Sequence, residues 1–428
     1  MLAQPSIPRT HEPRISNVRK FKVLTVLFAS GAILFVGVIL NAPSLYWMAG
    51  SLMALPVASR LLSWAQVRGL AARRRLPAQG NVGDWLEVTL EVENLTRWPR
   101  LMLSVADMLP PGLEADPAAP IPVQLLANGT DEAHYRLRLR RRGLYMLESV
   151  QLLGTDLLEL RVSPMLLPAP QELVVYPRIV AIDPEIIPGG AGYAPWALAT
   201  SPLRGQNVTP YGTRNYLPGD PIKQIHWPTT ARRGQLTVVE REAEQGADLV
   251  LAVDARRQQL FGDDAETTLE AAIALAASLA AEVLRQGETV QLLIPGQIGL
   301  TERGARRADA LGHVLWQLAR IQETDVSFFG RAVTAETAAL TQGARVCLLT
   351  AAPEEETIQT LSVLKGGRLS PILYAFDGPT FTGAPPDPRW EAVMRAARSL
   401  DIPCFHLRRN DPLTRRLIDE PGVAGGVT

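Results

Sequence analysis

Three rhythms of hydrophobic and polar positions follow one another along the chain. Residues 23–40, VLTVLFASGAILFVGVIL, carry no charge and would span about 27 Å as a helix, close to the hydrocarbon thickness of a bilayer. NAPS at 41–44 supplies a turn, and 45–64, LYWMAGSLMALPVASRLLSW, is a second and weaker span containing Pro56 and Arg60, with Tyr46, Trp47 and Trp64 suited to the interfaces. The rhythm then becomes two. Leu86, Val88, Leu90 and Val92 alternate with Glu87, Thr89 and Glu91, and Tyr135, Leu137 and Leu139 alternate with Arg136, Arg138 and Arg140; Leu101, Leu103 and Val105 make a third copy. Turn-forming stretches (ENLTRWPR, LPPG, ANGTDE, RRG) separate these runs, so residues 80–178 are expected to form a small antiparallel β sandwich with its arginines on a solvated strand face.

Beyond residue 246, continuous apolar runs alternate with helical patterns. ADLVLAVD (247–254), TVQLLIPG (289–296), ARVCLLTA (344–351), SPILYAFD (370–377) and PCFHLRR (403–409) have the character of strands buried on both faces. TLEAAIALAASLAAEVLRQG (268–287) is an alanine-rich helix closed by Gly287, and helical stretches at 306–322, 354–365, 388–400 and 411–419 lie between or beyond the strands. Such alternation predicts an α/β doubly wound parallel sheet over 247–420, in which ligands sit beyond the carboxyl ends of the strands. That puts Asp254 and Asp377 on the functional edge. His134, His313 and His406 fall in ordinary strand or helix patterns and are expected to be structural.

Charge sharpens the picture. Forty-three basic residues balance 43 acidic ones, so no global field recruits nucleic acid. Arg9, Arg14, Arg19, Lys20 and Lys22 precede the first span, the turn is uncharged, and Arg68, Arg73, Arg74 and Arg75 follow the second. By the positive-inside rule both ends are cytoplasmic, which makes 1–22 a cytoplasmic segment, 23–66 a transmembrane helical hairpin in the cell (inner) membrane, and the rest a cytoplasmic body held at the lipid bilayer. The sequons at Asn94, Asn128 and Asn207 are then chance matches. Cys347 and Cys404, the only cysteines, read as core packing in a reducing compartment.

Between the two soluble parts, 179–246 contains YGTRNYLPGDPIKQIHW (211–227), dense in side chains that can do chemistry. Here the sequence resembles the domain-of-unknown-function 58 proteins of bacteria and archaea. Their hallmark is matched by Gly212, Arg214, Tyr216, Gly219, Asp220, Ile225, His226, Trp227, Ala231, Arg232, Leu236 and Glu240, with Lys223 and Thr230 where arginine and serine are usual. The resemblance implies two N-terminal spans, a β sandwich ending in VYPR (175–178), and a von Willebrand factor A-like α/β domain, in that order. It also implies partners, a MoxR-type AAA+ ATPase and a transglutaminase-like membrane protein, in assembly or activation of other proteins.

Von Willebrand A domains that bind Mg²⁺ place Asp-x-Ser-x-Ser after the first strand, whereas this chain has Asp254-Ala-Arg256-Arg-Gln258. A guanidinium there repels a cation, so the site is degenerate, no metal or other cofactor is expected, and Asp254 should pair with a basic group, Arg256 or Arg232, or accept backbone donors. Two readings of the junction compete. In one it is a structural clasp and docking surface of an adaptor, with Arg214, Tyr216, Gly219, Asp220, Lys223, His226, Trp227, Arg232 and Glu240 as its members. In the other, a hydrolase or other enzyme, His226 is a general base oriented by Asp220, and Arg232 holds an anionic substrate. No nucleophile elbow, HExxH or P-loop supports the second.

Overall fold

Two helices open the computed structural model, α1 (Glu12–Leu40) and α2 (Pro43–Gln66), and both are long and apolar enough to cross a membrane, over Phe21–Leu40 and Pro43–Gln66. Residues 12–118, 120–156, 160–187, 204–215, 230–232, 234–242, 249–263, 265–299, 310–338, 340 and 343–419 are described. The turn is tight: Asn41 has φ +46°, and the Ala42 N–H donates to the Gly37 carbonyl at 3.2 Å. A Cβ on Gly37 would lie 3.0 Å from that of Leu45, and the Ser30 hydroxyl donates to the Ala49 carbonyl at 2.8 Å, so small residues let the two helices approach. α2 continues through Pro56 with one amide donor missing.

The chain divides into two compact units, Met1–Tyr176 and Pro177–Thr428. The first holds β1 (Leu70–Arg75), β2 (Gln79–Asn81), β3 (Trp85–Asn94), β4 (Arg100–Asp107), β5 (Leu113–Asp116), β6 (Ile121–Leu125), β7 (Thr130–Leu139), β8 (Gly143–Thr155) and β9 (Val162–Tyr176). They form two sheets, β1-β3-β7-β5 and β2-β9-β8-β4-β6, antiparallel except for the β2–β9 pair. The period-two positions behave as a pleat requires. Val88, Leu90, Val92, Tyr135, Leu137 and Leu139 are buried in one cluster with Leu103, Val105, Leu147, Leu152 and Leu173 of the other sheet. Leu101 departs from the expected alternation and is exposed, because the β4–β6 register slips between Arg100 and Leu103. Arg136 and Arg138 lie on the outer face, both over the Trp85 ring at 5.3 and 5.2 Å.

Arg74, read from the sequence as a charge flanking a span, is instead buried between the sheets. Its guanidinium donates to Asp107 Oδ1 (2.5 Å) and Oδ2 (2.8 Å) and to the carbonyls of Leu147 (2.9 Å), Ala169 (2.5 Å) and Ser149 (3.1 Å), and the Tyr135 hydroxyl donates to Asp107 Oδ2 at 2.5 Å. The ladder irregularity between Leu147 and Ser149 falls where Arg74 takes these carbonyls. Burial, then the adjoining Asp107 charge and hydrogen bond, raise the Tyr135 pKa, opposed by Arg74.

The second unit begins with an extended stretch laid along its own α/β layer. Val180 N–H donates to Ser278 Oγ (3.0 Å), Tyr374 OH to the Ile186 carbonyl (2.5 Å), and Arg416 to Asp183 (2.9 Å) and the Ala181 carbonyl (3.2 Å). β10 (Arg204–Asn215) and β11 (Thr237–Glu242) pair as an antiparallel ribbon. Five strands, β12 (Leu249–Val253), β13 (Val290–Leu293), β14 (Arg345–Thr350), β15 (Ser370–Phe376) and β16 (Cys404–Leu407), form a wholly parallel sheet in the order β13-β12-β14-β15-β16. The helices are α3 (Thr268–Arg285), α4 (Ala310–Arg320), α5 (Phe329–Thr337), α6 (Glu355–Gly366), α7 (Arg389–Ser399) and α8 (Pro412–Ile418). Residues of α5, α6 and α7 share a core with Val250, Ala252, Val346, Leu348, Leu373 and Ala375 on one sheet face. α3 packs on β12, β13 and β14, buries its alanine-rich face, and is capped by the Thr267 hydroxyl, which accepts from Glu270 N–H at 3.2 Å. α5 was not expected from the sequence; only Phe329 and Val333 of its large apolar residues are buried, too few to mark a period.

Candidate functional site

In this strand order the chain reverses direction across the sheet between β12 and β14, and the carboxyl ends of those strands flank the crevice where α/β sheets ordinarily receive ligands. Asp254 follows β12 and Thr350 ends β14. Arg256 Nε and Nη2 donate to the two Asp254 carboxylate oxygens at 3.0 and 2.9 Å, and Thr350 Oγ1 donates to Oδ2 at 2.7 Å while accepting from the Ala352 N–H at 3.1 Å. The same guanidinium reaches Glu354 at 3.3 Å and Glu356 at 3.8 Å and lies over the Phe329 ring, and Gln259 fixes the other Glu354 oxygen at 2.9 Å. Burial works to depress the Arg256 pKa, but the hydrogen bond and charge of Asp254, with Glu354 behind them, outweigh it and hold the pKa above its ordinary value.

Both Asp254 oxygens are thus engaged by a permanent cation and a hydroxyl donor at the position where a hard divalent ion would need them as ligands. This donor set does not fit such an ion. Asp254 takes Arg256 as its partner, while Arg232 is exposed in a short helical turn, Thr230 to Arg232.

A second arrangement lies one strand pair away. Asp377, which follows β15, is fully buried; it accepts the Asp387 N–H at 3.0 Å and contacts His406 Nε2 at 3.1 Å. His406 lines an open cleft of about 510 Å³ between α7 and β16, with Trp390, Cys404, Arg395, Arg398 and Arg408 around it. None of these three arginines forms an ion pair among the described residues. Burial pushes the His406 pKa down; Asp377 and Asp411 oppose this and Arg408 assists it. Burial also raises the Cys404 thiol pKa, against the neighbouring Arg398. His406 and Cys404 are therefore cleft residues as well as strand residues, which the sequence pattern did not indicate. Period-two placement of Cys404, His406 and Arg408 puts them on one face, but only the fold brings Asp377, 29 residues earlier, to the imidazole. Cys347, by contrast, is wholly buried, and burial pushes its thiol up to about 12.

The junction motif closes on itself. Gly212 pairs with Glu240, Arg214 with Val238 and Asn215 with Thr237, so the first and last residues of the motif share one ribbon. Tyr216, Gly219, Asp220, Lys223, His226 and Trp227 lie outside the described residues. Asn94, by contrast, is fully described and 1% exposed, and its side-chain amide donates to the carbonyls of Trp98 and Leu126. An amide so engaged is no acceptor for a glycan, in keeping with a chance sequon.

Comparison with known proteins finds the uncharacterized protein YeaD of Bacillus subtilis (strain 168), 27% identical over 233 residues that make up 53% of this chain and 56% of that protein. The chain thus spans little more than half the length of this relative. Among solved structures, the CARDB domain of a Pyrococcus furiosus protein matches 25% of this chain and 94% of its own at 14% identity and TM-score 0.17. An exo-β-N-acetylglucosaminidase from Vibrio harveyi matches 79% and 81% at 8% identity and TM-score 0.20. Scores this low carry no argument about fold or function. The family model described as protein of unknown function DUF58 matches residues 212–325, from the first glycine of the junction motif through β13 and α4. That match identifies residues 212–325 as a DUF58 region, a family described as of unknown function, and the YeaD similarity extends over a comparable part of the chain.

Proposed function

We propose that the protein is a two-span, membrane-anchored adaptor or scaffold whose β-sandwich and von Willebrand factor A-like units face the cytoplasm. There it would act with a MoxR-type AAA+ ATPase, alongside a transglutaminase-like membrane protein, in assembly or activation of other proteins. The observation that carries this reading is Arg256. It fills the crevice between β12 and β14 with the protein's own largely buried ion pairs, so the edge that would hold a catalytic or adhesive cation is closed by a preformed salt bridge instead. The neighbouring cleft adds Arg395, Arg398 and Arg408, which form no ion pair among the described residues and whose guanidiniums are of the kind that recognise carboxylates at protein interfaces.

Affinity recovery of the full chain from solubilised membranes, with and without ATP, tests the proposal. An AAA+ ATPase should be enriched in a nucleotide-dependent way, and Arg395→Glu with Arg398→Glu should lower its recovery about ten-fold, a loss of about 1.4 kcal/mol. Repeated recovery of no AAA+ protein would sink the adaptor reading.

A further inference from the structure

The β3–β4 and β6–β7 loops meet where α2 ends. Asn94 organises them: besides its two donated bonds, its side-chain oxygen accepts from the Thr96 N–H (3.0 Å) and hydroxyl (2.7 Å). Leu95 N–H donates to the Gly69 carbonyl (2.9 Å), Asn128 N–H to the Thr96 carbonyl (3.0 Å), and Arg100 to the Arg68 carbonyl (3.4 Å). Gly69, at φ +68°, lies just beyond Gln66, the last residue of α2, and a Cβ there would meet Thr96 at 2.4 Å. The two loops are therefore pinned against the exit of the second helix by their own polar groups.

What those loops turn outward is apolar. Leu95 is 61% exposed, Trp98 73%, Leu126 71% and Leu101 50%. Three large apolar side chains on these loops, with Leu101 at the start of β4 beside them, mark a surface that something covers. Height decides what. About twenty residues of helix cross the hydrocarbon core, so a span entered at Pro43 leaves it near Leu62 and brings Trp64 to the interface. The Ser63 and Ser163 hydroxyls are 3.0 Å apart, and a Cβ on Gly154 would strike the Ser63 carbonyl at 2.9 Å, so the end of the β8–β9 hairpin already touches α2 at that level. Leu95 is held to Gly69, and Trp98 and Leu126 to Asn94 beside it, so the three lie in the same zone as exposed Arg68 and Arg97.

We propose that Leu95, Trp98, Leu101 and Leu126 form a foot that inserts at headgroup depth into the bilayer that holds α1 and α2, with Arg68 and Arg97 facing lipid phosphates. The foot rests on the anchored reading above. It adds a contact of the sheet unit with the bilayer to the contacts the β8–β9 hairpin already makes with α2. An exposed Trp with exposed leucines and arginines around it matches the chemistry of an interfacial contact.

The test uses the full chain in vesicles of phosphatidylcholine and phosphatidylglycerol, in a Cys404→Ser background, since Cys347 is buried. An environment-sensitive fluorophore is placed in turn on Leu95→Cys, Leu126→Cys, Met53→Cys within α2 and Glu114→Cys on the sheet unit. Nitroxide lipids labelled near the headgroup should cause loss of emission from the Leu95→Cys and Leu126→Cys labels, deep acyl nitroxides from Met53→Cys, and neither from Glu114→Cys. Quenching at Met53→Cys without any at Leu95→Cys or Leu126→Cys would overturn the foot, leaving a protein partner or second copy as its cover, while sparing the anchor. No quenching at Met53→Cys would overturn the anchored reading itself.

Discussion

Asp254 and Arg256 are both nearly fully buried, so neither charge can fall back on water if the other is removed. Arg256→Met strands a buried carboxylate and is expected to cost about 3–5 kcal/mol, whereas Asp254→Leu with Arg256→Met together should recover much of that loss. Hydrogen exchange of β12 and β14 amides in the full chain reads the difference, and equal protection in wild type and Arg256→Met would refute the pair's structural role. His406 makes a prediction of the opposite kind. Its folded pKa lies below the ordinary value of 6.5, so it contributes stability that is present above the unfolded pKa and lost as pH falls through the folded one. Asp377, Asp411 and Arg408 are the charged groups that set the balance. The melting temperature of wild type should therefore drop more between pH 7 and pH 5 than that of His406→Gln; a parallel decline in the two would remove His406 from the account.

At the scale of elements, the two sheets of the first unit are joined by one buried polar cluster as well as by a hydrophobic core. Arg74 on β1 reaches Asp107 on β4 and three carbonyls on β8 and β9, and Tyr135 on β7 closes the set. Arg74→Met leaves Asp107, among the described residues, with only a phenol donor and should destabilise the unit by about 3–5 kcal/mol, read as lost exchange protection in β4 and β8 together. Loss confined to β1 would mean that the cluster is local rather than a joint between sheets. Gly154 is the matching device between helix and sheet: a side chain there meets Val67 at 2.7 Å and the Ser63 carbonyl at 2.9 Å. Gly154→Val should cost about 1–3 kcal/mol by overpacking and loosen the last turn of α2, measured as faster exchange from Ser63 to Arg68.

For the whole molecule, the proposed topology makes a claim about sidedness. Basic residues flank both ends of the helical pair while Asn41 and Ala42 form an uncharged turn, so a membrane-impermeant thiol reagent applied to intact cells should label Asn41→Cys and spare Glu114→Cys. Labelling of Glu114→Cys alone would invert the proposed orientation.

Most of the elements were legible along the chain, α5 and β10 excepted, because the forces that select them are local. Twenty apolar residues need no partner to declare a helix fit for a bilayer, a pleat sorts Val88, Leu90 and Val92 to one side whatever lies beneath, and runs such as LVLAV and RVCLLT have no polar face to expose. The DUF58 region at 212–325 was legible for a related reason, since it rests on residue types at fixed spacing. Partners were not legible. That Arg74 would be buried rather than line a membrane, that Asp254 would choose Arg256 over Arg232, that Asp377 would find His406, and that Asn94 would tie Trp98 and Leu126 to the exit of α2 depended on which elements lie side by side. A charge or an amide carries no period that announces its counterpart, and the desolvation that makes such pairs matter exists only once the surrounding layers have closed over them.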